Sequence, residues 1–182
     1  MRANRVRIIG GTWRSRLISF PPRTDLRPTP DRVRETLFNW LGQDLTGKTC
    51  LDLFAGSGAL GFEAASRGAR RVVMVEQDAV VFRALIASRA ALDAAGVELK
   101  RADALEFLRA DNGVYDVVFL DPPFRTDHWP RLSPLLPRHL APGALVYYES
   151  AARSGLPPGW EVCKQGEAGQ VRYQLLRREP LQ

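Results

Sequence analysis

Apolar and polar residues alternate in a regular way from about residue 49 onward. Short apolar runs, typical of buried strands, are separated by longer stretches with helical periodicity. The predicted strands lie at 50–55, 71–76, 97–102, 115–120 and 144–148, with a closing antiparallel pair at 160–163 and 171–176. The predicted helices lie at 58–67, 79–95, 104–110 and 127–139. This order predicts an α/β fold, a doubly wound, mostly parallel, seven-stranded Rossmann-like sheet.

The N-terminal residues follow a different pattern. Two segments, 5–9 and 12–18, alternate polar and apolar side chains on either side of a Gly-Gly turn, which predicts a β-hairpin. Two consecutive prolines then break the chain. The next segment predicts a helix with Thr29 as its N-cap and Pro30 at its first position, ending near Leu41.

Positive charge is concentrated in this N-terminal region. The formal net charge is +6, but residues 1–34 carry nine arginines against two aspartates, and the other 148 residues hold 17 basic against 18 acidic side chains. Because arginine pairs bidentately with phosphate, such a block favours a nucleic-acid interface. A solvated charged face in an arginine-rich protein is the alternative. The candidate contacts are Arg5, Arg7, Arg14, Arg16, Arg27, Arg32 and Arg34.

Several other classes of protein do not fit the composition. No apolar stretch approaches the roughly 18 uncharged residues of a membrane helix, and the first residues have no apolar centre like that of a secretory signal. An arginine-rich start also occurs in organelle presequences, but here the apolar residues alternate as in a strand. Cys50 and Cys163 are far apart and have no histidine companions, so we expect no metal. We expect a cytoplasmic monomer without membrane contacts.

The segment 52–61, Asp-Leu-Phe-Ala-Gly-Ser-Gly-Ala-Leu-Gly, leaves a strand, turns on glycines and enters a helix. Its spacing fits a dinucleotide loop, with Glu76 placed to bind ribose hydroxyls. Asp52, however, would repel a pyrophosphate and attract a cationic amino-acid end, which favours S-adenosylmethionine over a nicotinamide cofactor. Asp103 could accept from the adenine amine, although Asp52 and Asp103 could also simply cap helices. The candidate cofactor residues are Asp52, Phe54, Ala55, Gly56, Ser57, Gly58, Glu76, Gln77, Asp103 and Ala104.

The second motif is the tetrapeptide Asp121, Pro122, Pro123 and Phe124, which follows the apolar run 115–120. At the carboxyl end of a central strand, it would face the same crevice as the glycine loop. Hydrogen bonds from an exocyclic base amine to the Asp121 carboxylate and the Pro122 carbonyl would localise the amine lone pair and aim it at a methyl donor. Phe124 could stack on the base. A plain strand-end turn is the alternative.

These motifs resemble the class I methyltransferases that modify nucleic-acid amines. The segments RIIGGTWRSRLI (7–18), RPTPDRVRETLFNWL (27–41), DLFAGSGALGFEAASRGA (52–69), VEQD (75–78) and DPPF (121–124) resemble, more narrowly, the bacterial small-subunit ribosomal RNA guanine-N2 methyltransferase family, RsmD. The resemblance implies that Asp121 and the Pro122 carbonyl engage a guanine amine. It also implies that S-adenosylmethionine is bound by Asp52, Gly56, Gly58, Glu76 and Asp103. It also implies 16S ribosomal RNA, within the small subunit or an assembly intermediate, as the partner.

The resemblance divides the chain into a basic, RNA-binding hairpin and linker at 1–30 and a methyltransferase domain at 31–182. We also hypothesise that Arg27 and Thr29 close over the cofactor or the target nucleotide, a plain helix start being the alternative. Three other functions stay open. They are an adenine-N6 DNA or RNA methyltransferase, a non-catalytic RNA-binding assembly factor and, more remotely, a nicotinamide oxidoreductase.

Overall fold

A computed structural model describes residues 3–23, 26–123, 127–150 and 158–179. Its strands are β1 (Asn4–Arg7), β2 (Leu17–Phe20), β3 (Thr49–Asp52), β4 (Arg71–Glu76), β5 (Val97–Arg101), β6 (Tyr115–Leu120), β7 (Leu140–Ser150), β8 (Trp160–Ala168) and β9 (Val171–Arg178). Its α-helices are α1 (Asp31–Trp40), α2 (Ala59–Ser66), α3 (Ala79–Leu92), α4 (Ala104–Ala110) and α5 (Trp129–Leu132), and a 3-10 helix spans Leu136–His139.

The main sheet has seven strands in the order β5-β4-β3-β6-β7-β9-β8. The strands from β3 to β7 pair in parallel, and β9 pairs antiparallel with both β7 and β8. The chain winds outward from β3 in one direction and from β6 in the other, so the two central strands form the point where the strand order reverses. The predicted fold class, including the seven-stranded sheet and the separate N-terminal hairpin, is confirmed.

The prediction of a single helix over 127–139 is wrong. The segment contains the four-residue α5 and then the 3-10 helix, and each has a proline in its first two positions. Proline cannot donate a backbone hydrogen bond, and its ring clashes with the preceding turn, so a continuous helix cannot pass through both positions.

The hairpin is confirmed, but its connection is longer than the predicted Gly-Gly turn. β1 pairs antiparallel with β2, and Arg7 lies opposite Leu17. The predicted strand at 12–18 is wrong over its first half. The N–H groups of Thr12 and Trp13 donate to the carbonyl and hydroxyl oxygens of Ser66 on α2, at 2.8 and 2.9 Å. These bonds hold the connection against the helix.

The apolar side chains of the hairpin are part of the main core. Val6, Ile8, Ile18 and Phe20 are buried in the same cluster as side chains of α1 and of one face of the sheet. A second cluster on the opposite face contains side chains of α4 and α5. The sheet is therefore covered on both faces, as a parallel sheet requires, and the hairpin forms part of one covering layer.

Glu63 on α2 is 0% exposed and holds the hairpin to the domain. Its carboxylate accepts hydrogen bonds from the N–H groups of Ile9 and Gly10, at 2.9 and 2.8 Å. It also pairs with the guanidinium groups of Arg34 and Arg67, at 3.3 and 2.9 Å. We call these five residues the Glu63 cluster.

The expectation that Arg34 lies at the surface and contacts RNA is wrong. The residue is 0% exposed, and its guanidinium donates to the carbonyl oxygens of Arg7 and Thr29, at 2.8 and 3.0 Å. Helical periodicity places Arg34 beside the apolar stripe of α1, where the hairpin covers it. Arg34 therefore connects β1, the linker and α2 from inside the protein.

Within the described ranges, no helix is both long and apolar enough to span a membrane.

Candidate active site

Two carboxyl groups lie at the carboxyl ends of the two central strands. Asp52 is the last residue of β3 and lies opposite Phe119 of β6 in the parallel register. Asp121 directly follows the last residue of β6. Because the strand order reverses between β3 and β6, their helices leave in opposite directions and open a crevice at this edge. The structure thus brings both predicted motifs to the place where such sheets bind ligands.

The glycine loop is shaped by close packing. Gly56 and Gly58 have φ of 52° and 85°, in the left-handed region, and Gly58 is the N-cap residue of α2. A Cβ at Gly61 would lie 2.8 Å from the sulfur of Met74 on β4, so the glycine lets α2 pack directly on the sheet. The main chain at the start of the helix is thereby available to a ligand.

Asp52 has one satisfied and one unsatisfied carboxylate oxygen. The residue is 1% exposed, and its Oδ2 accepts from the Gly61 N–H at 3.0 Å. Its Oδ1 is one of only two buried side-chain atoms among the described residues with no hydrogen-bond partner. Burial raises the pKa of Asp52 to about 7, although the Gly61 bond opposes the shift. One oxygen serves α2, as the capping alternative requires, and the other suits a cationic donor such as the ammonium of S-adenosylmethionine.

Glu76 is the last residue of β4, and Asp103 lies two residues after β5. Glu76 accepts from the N–H groups of Gly56 and Asp78, at 3.0 and 2.8 Å, and so holds the glycine loop against the end of β4. Asp103 is the N-cap of α4, and its Oδ1 accepts from Leu105 and Glu106. The capping role proposed for Asp103 is confirmed, and its binding of adenine stays a prediction. The other cofactor candidates, Phe54, Ala55, Ser57, Gln77 and Ala104, lie on or beside these same strand ends.

The linker before α1 runs over this crevice. A Cβ at Gly56 would lie 2.8 Å from the side chain of Leu26, which therefore packs against the glycine loop. The prediction of Thr29 as helix N-cap is wrong, since Pro30 holds that position. The Thr29 hydroxyl instead lies 3.1 Å from Asp121 Oδ2 and 3.2 Å from Glu149 Oε1. The linker thus contacts both the cofactor loop and the second motif.

Asp121 shares its surroundings with a carboxyl group that the motif search missed. Leu120 pairs with Tyr148 in the β6–β7 register, so the next pair sets Asp121 opposite Glu149, which is 4% exposed. The Tyr147 hydroxyl donates to Glu149 Oε1 at 2.5 Å. Burial, and then the charge of Glu149, raise the pKa of Asp121 well above its usual range. Burial also raises the pKa of Glu149, against the hydrogen bond from Tyr147.

The remaining predicted site residues differ in their exposure to solvent. Pro122 is buried and Pro123 is exposed, whereas Phe124 lies outside the described residues. Six of the seven arginines proposed to contact RNA are exposed, the exception being Arg34. The exposed ones are Arg5, Arg7, Arg14, Arg16, Arg27 and Arg32.

Comparison with known proteins identifies the family. A family model described as Conserved hypothetical protein 95 matches residues 6–177. The chain is 43% identical to Ribosomal RNA small subunit methyltransferase D of Escherichia coli (strain K12), over 97% of this chain and 92% of the relative. It is 41% identical to the protein of the same name from Haemophilus influenzae, over 93% of this chain and 92% of the relative.

A solved structure agrees with this assignment. The fold superimposes with a TM-score of 0.86 on yhhF from Escherichia coli, described as a candidate methyltransferase. The two chains are 44% identical, and the match covers 98% of this chain and 100% of that one. The resemblance inferred from the motifs is confirmed, and this chain belongs to the family of ribosomal RNA small subunit methyltransferase D.

Proposed function

We propose that the protein transfers a methyl group from S-adenosylmethionine to the exocyclic N2 of a guanine in small-subunit ribosomal RNA. The observation that carries the proposal is the placement of Asp52 and Asp121 at the carboxyl ends of adjacent central strands. One carboxyl group suits the cation of the methyl donor, and the other suits the amine that receives the methyl group. The names of the relatives support ribosomal RNA as the substrate.

The cofactor is held by the glycine loop and the ends of β3, β4 and β5. When bound, S-adenosylmethionine supplies an electrophilic methyl group carried on a sulfonium. The unsatisfied Asp52 Oδ1 accepts from its ammonium, and Glu76 accepts from its ribose hydroxyls. Each Glu76 oxygen already accepts one backbone N–H, but a carboxylate oxygen has a further lone pair for a ligand.

Asp121 and the Pro122 carbonyl accept the two hydrogens of the guanine amine. The amine lone pair is delocalised into the ring, and two fixed acceptors turn it toward the methyl group. Pro122 and Pro123 keep the backbone rigid, because the proline ring fixes φ and removes an N–H. The target base has to leave its stack to reach this crevice, and Phe124 is the proposed stacking partner.

The exposed arginines of the hairpin and linker bind the phosphates of the RNA. Arg5 and Arg7 lie on the face of the hairpin opposite the buried Val6 and Ile18, and Arg14 and Arg16 lie in its connection. In this proposal residues 1–30 bind RNA and residues 31–182 carry out the transfer. Arg27 is exposed between Leu26 and Thr29, where it could reach either the cofactor or the nucleotide. We also propose that the enzyme is a monomer and works in the cytoplasm, on 16S RNA in the small subunit or in an assembly intermediate.

Tritiated methyl transfer to small subunits, protein-free 16S RNA and DNA, measured in parallel, tests the proposal. We expect label in subunits or their RNA, recovered after digestion as N2-methylguanosine, with Asp121→Ala as the inactive control. Added salt should weaken the reaction, because phosphate contacts release counterions. Label recovered as N6-methyladenosine, or found on DNA only, would reject the proposed substrate. No transfer to any of the three would favour a non-catalytic assembly factor.

A further inference from the structure

The group formed by the half-buried Asp121 and the buried Glu149, Thr29 and Tyr147 has too few protons for its contacts unless a carboxyl group carries one. We call the two carboxyl groups the Asp121–Glu149 pair, and the two hydroxyl groups are those of Thr29 and Tyr147. The Thr29 oxygen lies within hydrogen-bonding distance of both carboxyl groups, at 3.1 and 3.2 Å, yet the hydroxyl has only one hydrogen to donate. The second contact therefore needs a protonated carboxyl that donates to Thr29.

The charges around the pair also indicate that one of the two carboxyl groups is protonated. Among the described residues, neither Asp121 nor Glu149 forms an ion pair with a basic side chain. The other titratable groups facing the pair are Asp52 on β3, Tyr147 on β7 and Tyr173, which lies opposite Glu149 on β9. The nearest arginine on α1, Arg34, donates to the Thr29 carbonyl. Two like charges so close together and so little compensated cannot both persist in a buried site, so the pair holds one proton.

We propose that Glu149 is a positioning residue that takes the shared proton when the base amine arrives, so that Asp121 faces the amine as a carboxylate. The inference rests on the proposed function. The Tyr147 hydroxyl fixes Glu149 by donating to Oε1, and Thr29 bridges the two carboxyl groups. Glu149 does not touch the substrate and acts only through Asp121.

The Asp121–Glu149 pair carries the same number of protons before and after one methyl transfer. The pair begins with one proton, which lies on Glu149 once the amine donates to the Asp121 carboxylate. The carbon–nitrogen bond forms as the carbon–sulfur bond breaks, which leaves a positive charge on N2. The N–H bond to Asp121 then breaks and an O–H bond forms on Asp121, so the pair becomes doubly protonated and neutral. Burial favours this neutral form, and one proton returns to solvent as the methylated base leaves.

The pH dependence of the single-turnover rate of methyl transfer tests this role. The rate should fall in acid, because a doubly protonated pair cannot accept a hydrogen bond from the amine. In Glu149→Gln no proton can be shared, so the singly charged state of the site loses stabilisation and the acid limb should move up by about one pH unit. Above the limb the rate should stay within about tenfold of the wild-type rate, because Asp121 is a carboxylate beside a neutral group in both proteins. Affinity for RNA should not change.

A second variant should move the acid limb in the same direction. Tyr147→Phe removes the donor that stabilises the Glu149 carboxylate, so the acid limb should move to higher pH. It also tests the proposal if Glu149→Gln does not fold. Glu161→Gln, the same change at an exposed position of β8, should leave the rate and its pH dependence as in the wild type.

The possible outcomes separate the two proposals. A wild-type protein without guanine methylation would remove the proposed function. A wild-type protein that methylates guanine, combined with a uniform loss of rate in the variants and an unmoved acid limb, would overturn the role of Glu149 alone and leave it a structural one.

Discussion

The Glu63 cluster and the Asp121–Glu149 pair both contain buried carboxyl groups, but basic side chains compensate the negative charge only in the first. Glu63 receives two guanidinium groups and two backbone N–H groups, which together compensate its charge. Within the described residues, Asp121 and Glu149 contact the hydroxyls of Thr29 and Tyr147 and each other, and neither pairs with a basic side chain. The first arrangement fixes a structure, because Glu63 is the acceptor shared by the hairpin, α1 and the end of α2. The second leaves a proton that can move, which suits a group meant to bind and release a substrate hydrogen.

The comparison indicates how to separate structural from functional buried acids in this fold. A compensated acid should matter for stability and little for chemistry once the protein is folded. An uncompensated acid should do the reverse, because its burial already costs folding free energy. The following variants test that difference, from the largest expected effect to the smallest.

Glu63→Gln should lower the free energy of unfolding by about 3–5 kcal/mol, because Arg34 stays buried without its ionic partner on α2. Urea unfolding followed by circular dichroism measures the change. Glu98→Gln is the control, since Glu98 pairs with Arg71 at the surface and should cost only about 0–1 kcal/mol. Equal losses in the two variants would remove the distinction between the two carboxyl environments.

Asp121→Asn should lower methyl transfer by about 10²–10³-fold, the usual effect of removing one group that stabilises a transition state. Its free energy of unfolding should stay the same or rise, because a neutral amide replaces an uncompensated acid. Asp93→Asn, at the exposed C-cap of α3, should change neither property. A marked loss of stability in Asp121→Asn would mean that this carboxyl group is structural after all.

Asp52→Asn should weaken the binding of S-adenosylmethionine by about 10–100-fold at pH 8, as expected for the loss of a charged hydrogen bond. Because burial raises the pKa of Asp52 to about 7, the carboxylate form prevails only above that pH. Wild-type affinity should therefore fall as the pH drops from 8 to 6, and the variant should show a flatter dependence. Titration calorimetry at several pH values measures both effects, and equal slopes would contradict the assignment of the ammonium to Asp52.

The smallest effect is expected at the basic surface. Arg14→Gln or Arg32→Gln should reduce the slope of log affinity against log salt for 16S RNA by about 1 for each phosphate that the variant no longer neutralises. Arg109→Gln, an exposed change on α4, serves as the control. If all three variants bind RNA alike, the exposed arginines at these two N-terminal positions are merely solvated.

The sequence predicts well those residues whose neighbours in the chain also form the site. Asp52 and Asp121 each end an apolar run, so their position at a strand end follows from the pattern alone. Glu149 lies on β7, and its relation to Asp121 depends on the pairing of two strands. The only signal in the sequence is a glutamate two residues after a tyrosine in an apolar run, and it becomes informative only once β7 is placed beside β6.

The predictions for Thr29 and Arg34 failed because contacts with distant parts of the chain decide the surroundings of both residues. A threonine before a proline is a typical start of a helix, yet the Thr29 hydroxyl contacts carboxyl groups 92 and 120 residues further along the chain. Arg34 precedes Leu37 and Phe38 by three and four residues, so helical spacing already sets it within the buried stripe of α1. The hairpin and Glu63, which satisfy its charge there, come from distant segments that helical periodicity does not report.

The contacts of α2 make the hairpin a poor candidate for transplantation. The helix begins at the glycine loop. Near its C-terminal end, Glu63 and Ser66 accept hydrogen bonds from backbone N–H groups of residues 9–13. A chimaera that exchanged only the first 30 residues would strip acceptors of their donors and uncover an apolar layer. Anyone re-targeting this enzyme to another RNA should therefore redesign the outward arginines in place and keep the inner side of the hairpin intact.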